Sequence, residues 1–199
     1  MNIGVFGGSF DPPHNAHVQV CRYALEHAFL DRILLVPTGD NPLKISEDRT
    51  SRQDRLNMTQ LAAEFLPHSE VSDIEIDRPG QSYTYETIKT LKQNSNDTFW
   101  FITGSDLLPQ LHMWRNFSQL AEMIDFICFR RKGTDASALI SAAERINRIF
   151  RPGIILFEDY APDEISSSSI REMIQNGEDI KSMVPRTVYE YIQKNNLYR

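Results

Sequence analysis

Six short apolar runs, each separated from the next by a polar or amphipathic stretch, constrain this chain more than any other feature. The runs are Ile3–Phe6, Arg32–Val36, Val71–Ile76, Phe99–Thr103, Phe126–Phe129 and Ile154–Phe157. Each is of strand length. Between them apolar residues recur at helical spacing. Val18, Cys21, Ala24, Leu25, Ala28 and Phe29 share one face of a helix over His14–Phe29. Leu56, Met58, Ala62, Phe65 and Leu66 do the same over Arg52–Leu66, behind a capping box in Thr50-Ser51-Arg52-Gln53. Further helices are expected at Tyr85–Gln93, Phe117–Met123, Ala136–Phe150, Ile170–Gln175 and Arg186–Asn195, the last with Pro185 at its first position. Strands alternating with helices imply βαβ units. The expected fold is α/β: a Rossmann-like, doubly wound parallel sheet of five to six strands with helices on both faces. Ligands of such sheets bind at the carboxyl ends of the strands, where the strand order reverses.

The first of these strand ends carries an unusual turn. Gly7-Gly8-Ser9-Phe10-Asp11-Pro12-Pro13-His14 follows the strand directly, and His17 lies three residues beyond His14. Paired glycines let backbone N–H groups approach an anion, and a helix N-terminus adds unpaired donors and a positive dipole end. Residues i and i+3 project from one helix face, so the two imidazoles point the same way. This is neither a Walker A loop nor a GxGxxG fingerprint, since no Gly-Lys-Ser/Thr follows. A plain glycine turn with two surface histidines accounts for each part singly, but not for the combination.

Near the far end of the chain, Ile165-Ser166-Ser167-Ser168-Ser169-Ile170-Arg171 opens another helix. Ser169 with Glu172 reads as a capping box, which explains one serine of four. Hydroxyls at a helix start offer donors to an anion, and Arg171 adds a cation able to grip phosphate by two bonds. An arginine in the first turn opposes the helix dipole unless an anion is present.

Composition narrows the functional classes. A length of 199 residues is read as one domain, 1–199. A net charge of −6 argues against coating nucleic acid, which needs a basic surface. A small anionic ligand stays open if His14, His17, Lys44, Arg130, Arg131 and Arg171 gather at one place. No apolar run approaches a membrane span, and no basic leader precedes the first strand, so a cytoplasmic protein is expected. Cys21 and Cys128 lack CxxC spacing and read as reduced core thiols. Pro37–Glu47 and Asp159–Ser167 are irregular and long enough to be active-site loops.

The two end motifs resemble the signatures of the nucleotidylyltransferase superfamily: its His-x-x-His element at His14 and His17, and its serine-rich element ending in Arg171. Within it the chain most resembles the bacterial nicotinate-nucleotide adenylyltransferases. Arg78-Pro79-Gly80-Gln81-Ser82-Tyr83-Thr84-Tyr85-Glu86-Thr87, then Phe101-Ile102-Thr103-Gly104-Ser105-Asp106, then Trp114 carry that narrower likeness. The resemblance implies transfer of AMP from ATP to nicotinate mononucleotide, with release of pyrophosphate. It implies that His14, His17, Lys44 and Arg171 serve catalysis. It assigns Gly7, Gly8, Ser9, Phe10, Gly104, Asp106, Ile165, Ser167 and Ser168 to ATP, and Ser82, Tyr83, Thr84 and Trp114 to the mononucleotide. Mg²⁺ would bridge the ATP phosphates with few protein ligands, so no residue is assigned to metal.

Local structure offers alternatives at several of these positions. Ser105 and Asp106 could simply begin a helix, Tyr83 and Thr84 could form a turn and a threonine cap, and Trp114 could be core. Trp100, inside a strand, is read as core. Two positions depart from the family pattern. Asp40-Asn41-Pro42-Leu43-Lys44 is one residue shorter than the usual Pro-Pro-His-Lys stretch and has Leu43 in place of histidine, and Ala16 replaces a glycine. Alternative readings are an adenylyltransferase for nicotinamide mononucleotide or for another phosphorylated acceptor such as phosphopantetheine, and a non-catalytic nucleotide-binding regulatory protein. Oligomeric state, acid-versus-amide preference and movement of the 37–47 loop stay open.

Overall fold

One parallel sheet takes in β1 (Asn2–Gly8), β2 (Arg32–Pro37), β3 (Ser69–Val71), β4 (Thr98–Gly104), β5 (Asp125–Phe129) and β6 (Ile154–Phe157). The computed structural model describes residues 1–39, 50–130, 135–150, 153–157, 160 and 162–199. In space the strands run β3-β2-β1-β4-β5-β6, every neighbouring pair parallel. The chain therefore works outward from β1 to β3, then returns to the other side of β1 and works outward again. The order reverses between β1 and β4, which opens a crevice at their carboxyl ends.

Alternation along the strands divides the core in two. Ile3, Val5, Phe99, Phe101, Phe126 and Cys128 point to one face, under α3 (Thr84–Gln93), the 3-10 helix Ser105–Met113, α4 (Phe117–Met123) and α5 (Ala136–Ile149). Ile33, Leu35, Ile102, Ile127 and Phe129 point to the other, under α1 (Asn15–His27) and the end of α2 (Arg52–Ala63). Strands buried on both faces need apolar residues at nearly every position, as β4 and β5 have. A third cluster lies off the sheet. Met58 and Ala62 of α2 pack with Ile170 and Ile174 of α6 (Ser167–Gln175) and with Val188 and Ile192 of α7 (Arg186–Lys194).

The doubly wound sheet is as expected, with six strands, and several boundaries shift. Of the strand expected over Val71–Ile76, only Val71 pairs, within Ser69–Val71. The Ser72 hydroxyl accepts from the Ile74 N–H and the Ile76 N–H turns back to the Asp73 carbonyl, so local bonds outcompete the ladder. The first helix stops at His27. Phe29 then takes a left-handed φ of 54° and is 87% exposed, off the apolar face assigned to it. Phe65 also lies outside its helix and is exposed, because α2 ends at Ala63. Ser51 caps α2 by accepting from the Asp54 N–H, so the cap is one residue later than Thr50-Gln53 suggests. Pro185 sits at the cap of α7 instead of its first position. Most of 37–47, and Asp159 of the second irregular stretch, lie outside the described residues.

Cys21 and Cys128 are free and buried. Burial pushes both thiols up, Cys128 to about 12 with a contribution from the Asp106 charge. A thiol held above its usual range carries almost no thiolate near neutrality. Native protein at pH 8 should therefore leave both cysteines unlabelled by a thiol-specific disulfide reagent over minutes. Two equivalents should react once the protein is unfolded in guanidinium.

Candidate active site

The β1–α1 turn stands at the reversal point of the sheet, and its conformation is set by side chains packed beneath it. Phe10 is 1% exposed and adopts φ 48°, a left-handed backbone that is uncommon outside glycine. Its ring lies edge-on to Phe6 and to His17, with centroids 5.7 and 5.1 Å away. The glycines leave room for this packing. A Cβ on Gly8 would come within 3.2 Å of the Phe10 ring, and one on Gly7 within 3.3 Å of Phe101. The Ser9 hydroxyl is buried and finds no hydrogen-bond partner among the described residues. A buried polar atom left in that state suits a site that receives a ligand.

His14 caps α1, and His17 is the third residue of that helix. The two rings stack with centroids 3.6 Å apart. The backbone N–H of His14 donates to His17 Nδ1 at 3.1 Å. A backbone N–H can only donate, so Nδ1 is the accepting nitrogen and the neutral ring carries its proton on Nε2. His17 thus presents an Nε2–H donor in a defined orientation at a helix N-terminus.

The serine-rich motif meets this turn directly. The Ser167 hydroxyl donates to the Pro12 carbonyl at 2.8 Å, and Arg171 Nη1 donates to the Asp11 carbonyl at 2.8 Å. Arg171 Nη2 reaches Ser168 Oγ at 3.3 Å. The capping pair is Ser166 with Ser169, not Ser169 with Glu172. The helix begins at Ser167, three residues earlier than expected, so Arg171 falls in its second turn. The dipole effect has faded there, and the expected conflict disappears. The four serines divide the work: two close the cap, one ties the turn, and one faces the guanidinium. Ile165 packs against the third core cluster.

A second group forms at the ends of β2 and β4. Gly39 has no room for a side chain: a Cβ would strike the Glu75 carbonyl and lie 2.9 Å from Ser82 Oγ. Ser82 is buried there, and its hydroxyl, like Thr38 Oγ1, has no hydrogen-bond partner among the described residues. Glu75 Oε1 accepts from Thr87, which accepts in turn from Arg78. Tyr83 caps α3, so Thr84 is its first residue and not its cap. The Arg115 guanidinium lies 4.5 Å over the Tyr83 ring. Trp114 is half-buried and meets Phe101 edge-on at 5.6 Å. Phe101 therefore sits between Gly7 and Trp114. Gly104 ends β4, Ser105 is buried, and Asp106 is exposed in the first turn of the 3-10 helix.

Comparison with known proteins agrees with this arrangement. Residues 5–173 match the cytidylyltransferase-like family. Over 196 residues the chain is 38% identical to a probable nicotinate-nucleotide adenylyltransferase of Clostridium tetani, covering 98% of each. A protein of the same name from Clostridium novyi is also 38% identical, again over 98% of each. Among solved structures, the Plasmodium falciparum nicotinic acid mononucleotide adenylyltransferase complexed with NaAD superposes with a TM-score of 0.80. It is 26% identical, covering 99% of this chain and 97% of that one. The chain belongs to the nicotinate-nucleotide adenylyltransferase family.

For this family member, the described structure unites His14, His17, Ser167, Ser168 and Arg171 around one turn, with Gly7, Gly8, Ser9 and Phe10 beneath them. Ser82 is brought against the end of β2, and Trp114 joins the same region through Phe101. Lys44 and Arg131 lie outside the described residues, as do Asp40–Leu43. Arg130 follows β5, where its N–H donates to the Phe157 carbonyl. No three His, Cys, Asp or Glu residues cluster as a metal site among the described residues. No helix of those residues is long and apolar enough to cross a membrane.

Arg55 is absent from the site read in the sequence. It is 1% exposed and donates to the carbonyls of Ser9 at 2.9 Å, Thr38 at 2.5 Å and Gly39 at 3.1 Å. One guanidinium thus joins the turn after β1 to the end of β2. The signal is present in the helix periodicity, because Arg55 shares the buried stripe of Met58, Thr59 and Ala62. An arginine on an apolar stripe must have buried acceptors waiting. Arg55→Met should lower stability by about 3 kcal/mol in urea denaturation, since it strands buried carbonyls. Arg55→Lys should recover only part, because one ammonium cannot match the planar fork.

Proposed function

We propose that the chain transfers AMP from ATP to nicotinate mononucleotide, giving deamido-NAD and pyrophosphate, by direct attack of the mononucleotide phosphate on the ATP α-phosphate. The observation that carries the reading is the meeting of the His14–His17 turn with Ser167 and Arg171 at the sheet's reversal point. The attacking phosphate is already an anion, so the reaction needs no general base and no covalent nucleophile. What it needs is two anions held in line, and donors where charge develops.

The chain's own groups suit those needs. His17 Nε2–H and the N-termini of α1 and α6 supply donors to ATP phosphate oxygens. Arg171 has five N–H donors and keeps capacity for the departing pyrophosphate while it holds Asp11. We assign Lys44 a similar role from its place in the family pattern. Gly104 and Asp106, at the end of β4, are assigned to the nucleotide ribose, and Ile165 to the adenosine side. Ser82, Tyr83 and Thr84, with Trp114 as an aromatic wall, are assigned to the mononucleotide. The donors around the turn are imidazoles, hydroxyls and a guanidinium, which fit phosphate better than a hard cation. Mg²⁺ would accordingly be carried by the ATP phosphates and would neutralise part of their charge. We place the enzyme in the cytoplasm as a single domain.

Incubation with ATP, Mg²⁺ and either nicotinate or nicotinamide mononucleotide should release pyrophosphate, faster with the acid. Silence with both would refute the reaction, and equal or greater turnover with the amide would refute the acid preference alone. His17→Ala should leave ATP affinity near the wild-type value and cut turnover by roughly 10²–10³, the cost of one lost transition-state donor. Retention of turnover within a few-fold would reduce His17 to a binding contact.

A further inference from the structure

We propose that Tyr198 is a positioning residue for the transfer, holding Asp11 so that the β1–α1 turn keeps His14 and His17 in their reactive arrangement. The proposal rests on the reaction assigned above. Asp11 is 3% exposed, and its Oδ1 accepts from the Tyr198 hydroxyl at 2.7 Å. That contact joins residues 187 positions apart in sequence. Asp11 lies three residues before His14, and its own carbonyl is the one held by Arg171. The turn is thereby gripped at one residue through backbone and side chain at once.

Two features argue that this bond does more than fill space. Asp11 is a carboxylate buried beside a site built for phosphates, where its charge works against anion binding. Its presence is rational if its oxygen is needed as an anchor. Asn196 closes α7 in an ordinary left-handed helix cap, and two residues later Tyr198 takes a φ of 65° to deliver the hydroxyl. That left-handed backbone is uncommon for a tyrosine, and such conformations persist where surrounding contacts over-determine them. Desolvation and the Asp11 charge both push the Tyr198 phenol well above its ordinary range. It therefore remains an O–H donor at any working pH. The same hydroxyl lies 3.9 Å from Met58 Sδ, on the third core cluster.

Tyr198→Phe removes the hydroxyl and keeps the ring. It should lower kcat about tenfold or more, since small misplacements at a reacting centre are costly, while the ATP KM stays within about threefold. Val188→Ala, in the neighbouring α7 core, should destabilise the protein at least as much and leave kcat within about twofold. Asp11→Asn keeps an acceptor oxygen, so its fall in kcat should be smaller than that of Tyr198→Phe. Adding Tyr198→Phe to it should bring the rate down to that of Tyr198→Phe alone. Side-chain nitrogen NMR should find His17 in its single Nε2–H tautomer in the wild type and Val188→Ala, and in mixed tautomers in Tyr198→Phe. Unchanged kcat and tautomer in Tyr198→Phe, or an equal fall in kcat with Val188→Ala, would overturn the proposal. If the wild-type chain released no pyrophosphate, the assigned reaction would fall and the histidine spectrum alone would decide the role of Tyr198.

Discussion

Three carbonyl groups of the β1–α1 turn, those of Ser9, Asp11 and Pro12, take side-chain donors from outside the turn. Ser9 receives Arg55 from α2, Asp11 receives Arg171 from α6, and Pro12 receives Ser167 from the start of α6. The left-handed backbone at Phe10 would be a poor conformation for an isolated segment. It is stable here because donors from distant parts of the chain converge on its neighbours. Assembly of the site and docking of α2 and α6 are therefore one event. The third core cluster, off the sheet, is what brings those helices to the turn.

The proposed reaction asks a chain of net charge −6 to hold polyanions. Much of the donor capacity the proposal draws on is backbone: N–H groups at two helix starts, joined by the Nε2–H that the bond to His17 Nδ1 leaves on the neutral ring. Such groups cost little to bury compared with free cations. Arg55 and Arg171 are the charged exceptions, and both donate to carbonyls that would otherwise be stranded. A guanidinium has five N–H donors, so Arg171 can hold the Asp11 carbonyl and keep donors for the phosphate role proposed for it.

Periodicity alone carries the sheet, its parallel sense and five of the six strand positions, because alternation of strand-length runs with helical faces leaves few arrangements. It fails where short polar side chains redirect the backbone, or where a helix simply ends early. Ser72 and Asp73 cut a strand short, Ser166 takes the cap assigned to Ser169, and Ala28 and Phe29 leave the first helix. Those choices are decided by single hydrogen bonds worth about 1 kcal/mol, below what a pattern over many residues can resolve.

The local motifs by themselves pointed to donors suited to phosphate after the first strand and again at the start of α6, since glycines, helix starts and clustered donors act over a few residues. That these are two sides of one site was decided only by the tertiary structure. Ser167 lies 155 positions from Pro12, and Tyr198 lies 187 from Asp11. No local rule pairs such residues. Their meeting follows from the strand order, which sets β1 at the centre of the sheet, and from the apolar contacts that fold α6 and α7 back onto α2.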